Sequence, residues 1–269
     1  MSATRTEPRP RARGVSRDDP SLFTVVGTEL ARQRGGFSLW FTLLLPAALV
    51  LPLGVIAAFS PEGQNGDVWK IWLNVVLMFW GILAPMAAAL YAAVSVRQDD
   101  DARRLLYSYA FPRHRLFLGK FVALALVWLG SALILTALLS ALAVALGQVG
   151  DIGTVAAGVL LSWLAGLGSL ALCLLVAHMW GFATTICVGV AGMMFGALLA
   201  DKSVWWAIPL AWPMRVVVPL AEVFASGVPL PPEHPLMDTG VIPIAIALSA
   251  ALSVVLLAIG SRYVNRKEL

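Results

Sequence analysis

The sequence predicts an all-α integral membrane protein, and its composition and uncharged runs carry this prediction. Hydrophobic residues make up 59% of the 269 positions and charged residues only 13%, with a mean hydropathy of +0.84. A soluble domain has about 45–50% apolar and about 25% charged residues. Several uncharged runs exceed the ~20 residues that a helix needs to cross the hydrocarbon core. A soluble globule is therefore excluded, and two cysteines inside apolar runs give no disulfide framework.

The N-terminal part divides into a tail and an interfacial segment. Residues 1–21 hold five arginines and three prolines with little apolar surface, a composition that predicts a disordered basic tail. Residues 22–36 place apolar side chains on one side and charged ones on the other, ending in two glycines. This spacing predicts an amphipathic helix in the membrane interface, with an ordinary juxtamembrane linker as the alternative. Residues 37–269 then form the membrane domain.

Six spans are predicted within the membrane domain. Four of them follow directly from the uncharged or nearly uncharged runs Gly35–Pro61, Ile71–Val96, Phe121–Leu146 and Thr239–Ser261. Residues 152–200 add 49 positions without a formal charge, too many for one crossing at about 1.5 Å per residue. We therefore expect a hairpin of two spans that turns within residues 177–181.

The distribution of basic residues predicts the orientation. With six spans both termini lie on one side, and that side holds 16 of the 19 Lys and Arg residues, leaving three on the other. Basic loops stay in the cytoplasm. The chain is thus predicted to lie in a membrane with both termini cytoplasmic. The basic residues accompany no nucleic-acid motif, so they are predicted to meet the anionic headgroups of membrane lipids or to stay in the cytosol.

Two loops stand out between the spans. Residues 97–120 hold six Lys and Arg residues and the triplet Asp99–Asp101, and Ala102–Phe111 is predicted to form a short amphipathic helix ending before Pro112. This helix is either a mechanical lever between two rigid spans or a solvated connector. Residues 201–240 are rich in Trp and Pro, which favours short broken helices in a re-entrant or interfacial loop before the last span.

Motifs for catalysis and cofactor binding are missing from the sequence. The chain contains no nucleotide-binding phosphate loop, no H-E-x-x-H, no C-x-x-C and no G-x-G-x-x-G. The predicted spans also lack the buried charges that ion-coupled carriers use. We therefore expect neither an enzyme nor a bound cofactor, and energy for any transport would come from a partner.

The chain resembles the membrane subunits of type-2 ATP-binding-cassette exporters. The resemblance lies in Thr28–Arg32 of the interfacial segment, Leu45-Pro46 of the first span, and Phe111–Arg115 with Gly119-Lys120 in the charged loop. Six spans with a large outer loop before the last complete the pattern. Within this class, Ile208–Arg215 (IPLAWPMR) looks like a segment of permeases that protect their producers from lantibiotics and related peptides.

The resemblance implies a permease that pairs with a second copy or a paralogue and with two ATPase subunits that bind ATP and Mg. The loop helix would be the coupling helix in an ATPase groove, through Arg103, Arg104, Leu105, Leu106, Tyr109, Phe111, Pro112 and Arg113. An amphiphile, such as an antimicrobial peptide, a lipid or a drug, would move outward, which would confer antibiotic resistance. Substrate contacts would involve Trp205, Trp206, Trp212, Arg215 and Asn74. For each tryptophan, an interfacial anchor is the alternative role.

Two alternatives stay open. Gly192 and Gly196 have small-xxx-small spacing in the fifth span, which serves either a dimer contact or packing within one subunit. The absence of charges within the spans fits a membrane structural or assembly subunit without a transport path equally well.

Overall fold

The computed structural model describes residues 21–59, 65–106, 113–231 and 233–266 as a helical protein. The helices are α1 (Leu22–Gln33), α2 (Phe37–Phe59), α3 (Asn65–Leu106), α4 (Arg113–Ala145), α5 (Ile152–Ala191), α6 (Ala197–Ala200), α7 (Trp212–Ala221) and α8 (Val241–Arg266). This described part contains no β-strand, only an isolated antiparallel bridge between Val223 and Pro229. The tail predicted for residues 1–21 lies, except for Ser21, outside the described residues.

Five helical segments are long and apolar enough to cross a membrane. They are Phe37–Ile56, Val68–Asp99, His114–Ala145, Val149–Ala200 and Val241–Arg266. The prediction of an all-α chain with membrane-spanning helices agrees with this architecture. The fourth segment has 52 residues, a contour of about 78 Å at 1.5 Å per residue. That is more than twice the ~30 Å of the hydrocarbon core.

The first part of the fourth segment runs parallel to α3. Near the start of both elements, the indole Nε1 of Trp69 donates to Oδ2 of Asp151 at 2.7 Å. About two turns further along both helices, a Cβ atom added to Gly158 would lie 2.8 Å from Cδ2 of Leu77. Residue numbers therefore rise together in α3 and in this part of α5.

The second part of the fourth segment runs back along α3. Gly181 has φ 82° and ψ −169°, a backbone conformation that is open almost only to glycine. Immediately after it, the guanidinium of Arg97 lies 5.3 Å from the ring centroid of Phe182. A Cβ atom added to Gly189 would lie 2.5 Å from Cβ of Ala89. Residue numbers in α3 now fall as those in α5 rise, so the two helices are antiparallel here. The chain therefore reverses at Gly181, within the predicted turn.

These contacts define two ends of the helix bundle. The charged end contains α1, the turn at Gly181, the final part of α3 and the beginning of α4. The opposite, capped end contains Trp69 and Asp151 and is covered by residues 201–240.

Helices α3 and α5 form the centre of the bundle, whereas α2 and α8 lie at its edge. Within the most apolar window of each segment, 61% of the residues are buried in α3 and 67% in the Val149–Ala200 segment. The corresponding shares are 12% in α2 and 22% in α8. Trp69, Trp80, Tyr91 and Trp128 are among the largest fully buried side chains. Apolar side chains on the outer face of α2, such as Trp40 and Leu51, are exposed, as expected for a surface solvated by lipid.

The charged loop differs from its prediction, because α3 continues without a break to Leu106. The first five residues of the expected helix Ala102–Phe111 are thus the end of α3 instead of a separate element. Charged residues mark the end of an apolar run in the sequence but do not by themselves end a helix, so α3 continues past Val96 into the charged stretch. The rest of the predicted helix, up to Phe111, lies within residues 107–112, which are outside the described residues.

Residues 201–240 form short broken helices, as predicted from their prolines. Two 3₁₀ turns, Trp205–Ala207 and Pro209–Ala211, precede α7. Every residue of α7 except Leu220 is buried, and a Cβ atom on Gly81 of α3 would lie 3.1 Å from Cα of Met214. The hydroxyl of Ser169, in mid-α5, donates to the carbonyl of Pro209 at 3.1 Å. The segment therefore inserts between the long helices.

Candidate functional site

Helix α1 lies against the charged end of the bundle. Its N-cap residue Ser21 accepts a hydrogen bond from the backbone N–H of Thr24 at 3.2 Å, which satisfies one of the free N–H groups at the helix start. Val25, Glu29 and Gln33 are buried, and their four-residue spacing places them on one face of the helix. Phe23, by contrast, is 88% exposed. One face of α1 therefore packs on the bundle, and the rest stays outside it.

A glycine on α4 allows the close approach of α1. A Cβ atom added to Gly119 would lie 2.6 Å from Cγ1 and 3.2 Å from Cβ of Val25. The β-branched valine has little rotational freedom to avoid such an atom. The Gly119-Lys120 pair thus brings α1 into contact with α4 and places a charge beside that contact.

Lys120 is the centre of a buried ionic cluster, hereafter the charged-end cluster, formed with Glu29, Arg32, Asp99 and Ser95. Its ammonium lies 3.0 Å from Oε2 of Glu29 and 3.1 Å from Oδ2 of Asp99. It also donates to Oγ of Ser95 at 2.9 Å. Lys120 is only 2% exposed, so its charge is neutralised by side chains rather than by water.

Arg32 completes the charge balance of this cluster. Its Nη2 lies 2.7 Å from Oε2 of Glu29 and 2.6 Å from Oδ1 of Asp99. Two cations therefore face two carboxylates, contributed by α1, α3 and α4. Such a cluster is stable only while all its members are present, because a buried charge without its partner is costly. It fixes α1 to the base of the segment that carries residues 100–113.

The predicted coupling residues lie close to this cluster along the chain. Arg103, Arg104, Leu105 and Leu106 form the last turn of α3, a few residues after Asp99, and Arg113 begins α4. Tyr109, Phe111 and Pro112 lie outside the described residues. The backbone therefore places residues 103–106 and Arg113 at the charged end.

The predicted substrate residues are divided between the interior and the surface of the capped end. Trp212 is 4% exposed and its indole N–H donates to the carbonyl of Trp206 at 3.2 Å. Arg215 is 3% exposed and lies 5.7 Å from the ring centroid of Trp205. Trp206 itself is 59% exposed. Trp212 and Arg215 therefore hold together residues 201–240, hereafter the capping segment. Trp206 stays accessible.

Burial and opposite charges act on Arg215 and Asp201. Burial lowers the pKa of Arg215, while Asp201 and Asp238 act in the opposite direction. Burial raises the pKa of Asp201, against the effects of a hydrogen bond from the Ala225 N–H and the charges of Arg215, Lys202 and His234. Nη1 of Arg215 also donates to the carbonyl of Leu236 at 3.4 Å. These contacts tie Arg215 to both ends of the capping segment.

Asn74 lines a separate small cavity of about 100 Å³ between α3 and the capping segment. Met78, Val223 and Pro229 are among its other lining residues. A single amide among apolar walls can orient a small polar group, but the volume lies well below the about 300–1,000 Å³ of ordinary ligand pockets. This cavity is too small for a whole amphiphile.

Gly192 and Gly196 pack within the subunit, the second of the two roles considered for them. They delimit a π-helical turn between α5 and α6. A Cβ atom on Gly192 would lie 2.8 Å from Cβ of Pro85, and one on Gly196 would lie 2.5 Å from the carbonyl oxygen of Leu210. The glycine faces are therefore covered by α3 and by the capping segment of the same chain.

The charges that the structure brings together come from segments far apart in the sequence, where no pattern links them. Glu29 and Lys120 lie in the motifs that carry the family resemblance, and Asp99 lies in the charged loop. Their spacing along the chain does not predict that they contact one another. Asp201, Lys202 and His234, which line the larger cavity at the capped end, were not singled out. An isolated aspartate next to a lysine at a span end was the available signal. Among the described residues, no group of His, Cys, Asp and Glu is arranged to hold a metal ion.

Comparisons with known proteins give no identification. No protein-family model, no curated protein and no solved structure matches this chain.

Proposed function

We propose that this chain is the membrane-spanning permease subunit of an ATP-driven exporter, with ATP and Mg bound and hydrolysed by separate subunits. In this proposal the charged end faces the cytoplasm and α1 lies in the membrane interface. The chain crosses the membrane six times, with two crossings in the Val149–Ala200 segment, and the capping segment is the re-entrant outer loop. The membrane is a bacterial plasma membrane.

The charged-end cluster is the observation that carries the proposal. A force applied to residues 107–112, between α3 and α4, would be transmitted along the ends of these two helices to Asp99 and Lys120. Both are bonded to Glu29 of α1 directly or through Arg32. Because a broken buried pair is costly, the three elements move as one body. A partner that seats the loop in a groove would thereby move the ends of two spans together.

The energy source in this proposal is outside the chain. The sequence has no phosphate loop, and the buried charges of the described residues lie in the cluster at the charged end and at Arg215 in the capping segment. Charges at the midplane would be expected of an ion-coupled carrier. A second permease copy or paralogue would complete the path, along which an amphiphilic peptide, lipid or drug moves outward.

Co-purification from the native cells tests this proposal. We expect the tagged chain, extracted in mild detergent, to recover a soluble ATPase with a G-x-x-x-x-G-K-[ST] motif and measurable ATP hydrolysis. The double variant Leu105→Asp/Leu106→Asp should lower this recovery at least about tenfold, as for a lost interface hot spot, while the protein still inserts. The control Ser203→Asp/Val204→Asp adds the same charges at the capped end and should retain the ATPase. If the wild-type chain never retains an ATPase, the alternative of a structural or assembly subunit is favoured.

A further inference from the structure

A cavity of about 510 Å³ lies at the capped end, between the end of α6 and the capping segment. Its volume is in the range of about 300–1,000 Å³ that is typical of ligand pockets. The lining combines the polar or charged residues Asp201, Lys202 and His234 with the apolar residues Leu198, Phe224 and Leu236. This combination is suited to an amphiphile rather than to a wholly apolar molecule.

The anionic wall of this cavity is Asp201. One carboxylate oxygen, Oδ2, accepts a hydrogen bond from the Ala225 N–H at 2.9 Å, which fixes the side chain. The other oxygen, Oδ1, is buried and has no hydrogen-bond partner among the described residues, so a ligand in the cavity would bond to the remaining lone pair of Oδ2. A carboxylate that is partly desolvated and has unused hydrogen-bonding capacity is stabilised by a cationic ligand that donates an N–H hydrogen bond. A primary ammonium supplies this donor.

The cationic wall is formed by Lys202 and His234. Lys202 is exposed and has three N–H donors. Nδ1 of His234 accepts from the backbone N–H of Leu236 at 3.2 Å, so the neutral ring carries its proton on Nε2. The ring is held by Phe224 in an edge-to-face contact with centroids 5.2 Å apart. Two N–H donors in the lining of one cavity suit the oxygens of a phosphate.

The apolar wall points to a lipid as the source of this ammonium and phosphate. Leu198 is 64% exposed and lies in the last helical turn of the Val149–Ala200 segment. A molecule whose head occupies the cavity can therefore extend its chains over Leu198 and the neighbouring apolar helix surface. A free soluble headgroup would leave that surface unused.

We propose that this cavity binds the headgroup of a phospholipid with a phosphate and a primary ammonium, as in phosphatidylethanolamine. The phosphate lies against Lys202 and His234, and the ammonium against Asp201. Phosphatidylglycerol lacks the ammonium, and phosphatidylcholine has a quaternary ammonium without an N–H donor. The inference concerns binding by this chain alone and does not depend on transport or on an ATPase.

Native mass spectrometry of the full chain in detergent tests the proposal. Dioleoyl phosphatidylethanolamine, phosphatidylglycerol and phosphatidylcholine are added separately, and the fraction of lipid-bound protein is measured. We expect at least about tenfold tighter retention of phosphatidylethanolamine, since one charge-assisted hydrogen bond distinguishes the lipids. Asp201→Asn should abolish this preference, and Lys202→Gln should weaken the retention of phosphatidylethanolamine and phosphatidylglycerol alike.

The variants are chosen to keep the fold. Asparagine at position 201 retains an acceptor for the Ala225 N–H, and Lys202 is exposed, so both substitutions should preserve the fold. If a variant has the melting temperature of the wild type, a change in its lipid binding can be assigned to the cavity. Glu222→Gln, at an exposed carboxylate of the same end, is the matched control and should leave the lipid preference unchanged. Equal retention of the three lipids by the wild type, or an unchanged preference in Asp201→Asn, would overturn the proposal. Displacement of the lipid by an equimolar amount of soluble O-phosphoethanolamine would instead assign the cavity to a soluble ligand and overturn the lipid assignment.

Discussion

Lys120 is the single side chain on which the charged end depends most. It bonds to both carboxylates of the cluster and to Ser95, and it is almost completely buried. Methionine has a similar length without the charge, so Lys120→Met leaves Glu29 and Asp99 with Arg32 as their remaining cation. We expect a loss of about 3–5 kcal/mol of stability, the usual cost of breaking a buried ion pair. The melting temperature in detergent measures this loss.

An exposed lysine provides the control for this variant. Lys70 lies 3.9 Å from Glu222, and its side chain is 71% exposed, so Lys70→Met should change stability by about 0–1 kcal/mol. Combining Lys120→Met with Glu29→Gln removes one charge of each sign and should recover part of the loss. A melting temperature of Lys120→Met equal to that of the Lys70 variant would show that the cluster holds nothing together.

The charges of the cluster are visible in the sequence, but their meeting is not. Glu29 and Lys120 are 91 residues apart, and uncharged runs indicate where helices lie without indicating which helices pack together. Only the motif Gly119-Lys120, with its small residue before the charge, hints at a close approach. A local reading of spacing therefore predicts the helices and the charged loop but not the cluster that joins them.

At the scale of elements, the contact between α1 and α4 tests whether α1 is a fixed part of the bundle. Gly119→Ala places a Cβ atom 2.6 Å from Val25 Cγ1, so α1 must shift away. We expect a loss of about 1–3 kcal/mol, as for other overpacked contacts, and faster proteolysis at the α1–α2 junction. Melting temperature and limited proteolysis report the two effects.

The same helix offers a matched control and a rescue. At Gly130 of α4 the nearest atom to an added Cβ is 3.9 Å away, so Gly130→Ala should be neutral or stabilising by up to about 1 kcal/mol through helix propensity. Val25→Ala removes the clashing atom, and the double variant with Gly119→Ala should regain most of the lost stability. Additive losses in the double variant would mean that Gly119 and Val25 are not coupled.

Elements were predictable where one physical signal dominated. The cores of α2, α4 and α8 follow from uncharged runs, and the reversal at Gly181 falls in the turn predicted from segment length. The full extent of α3 does not follow from the sequence, because a charged stretch after an apolar run is typical of a loop and is equally compatible with a helix that leaves the apolar layer. The role of Gly192 and Gly196 stayed open because spacing shows that helices approach closely but not which helix is the neighbour.

At the scale of the whole molecule, the direction of the chain in the Val149–Ala200 segment decides how many times it crosses the membrane. The two parts of this segment contact α3 in opposite directions. If α3 crosses the membrane once, the two parts cross it once each, and residues 149 and 204 lie on the same side. With a single crossing, these two positions would lie on opposite sides.

Cysteine labelling in intact cells distinguishes these topologies. Cys173 is buried and Cys187 exposed, so both are first replaced by alanine. We expect the membrane-impermeant maleimide to label Val149→Cys and Val204→Cys from outside, because both side chains are exposed at the capped end. Phe182→Cys, beside the turn at the charged end, should react only after lysis. Labelling of positions 149 and 204 from opposite sides would refute the six-span topology. Labelling of position 182 from outside would place the charged end, with the cluster at Lys120, outside the cell. A cytosolic ATPase could then not bind there.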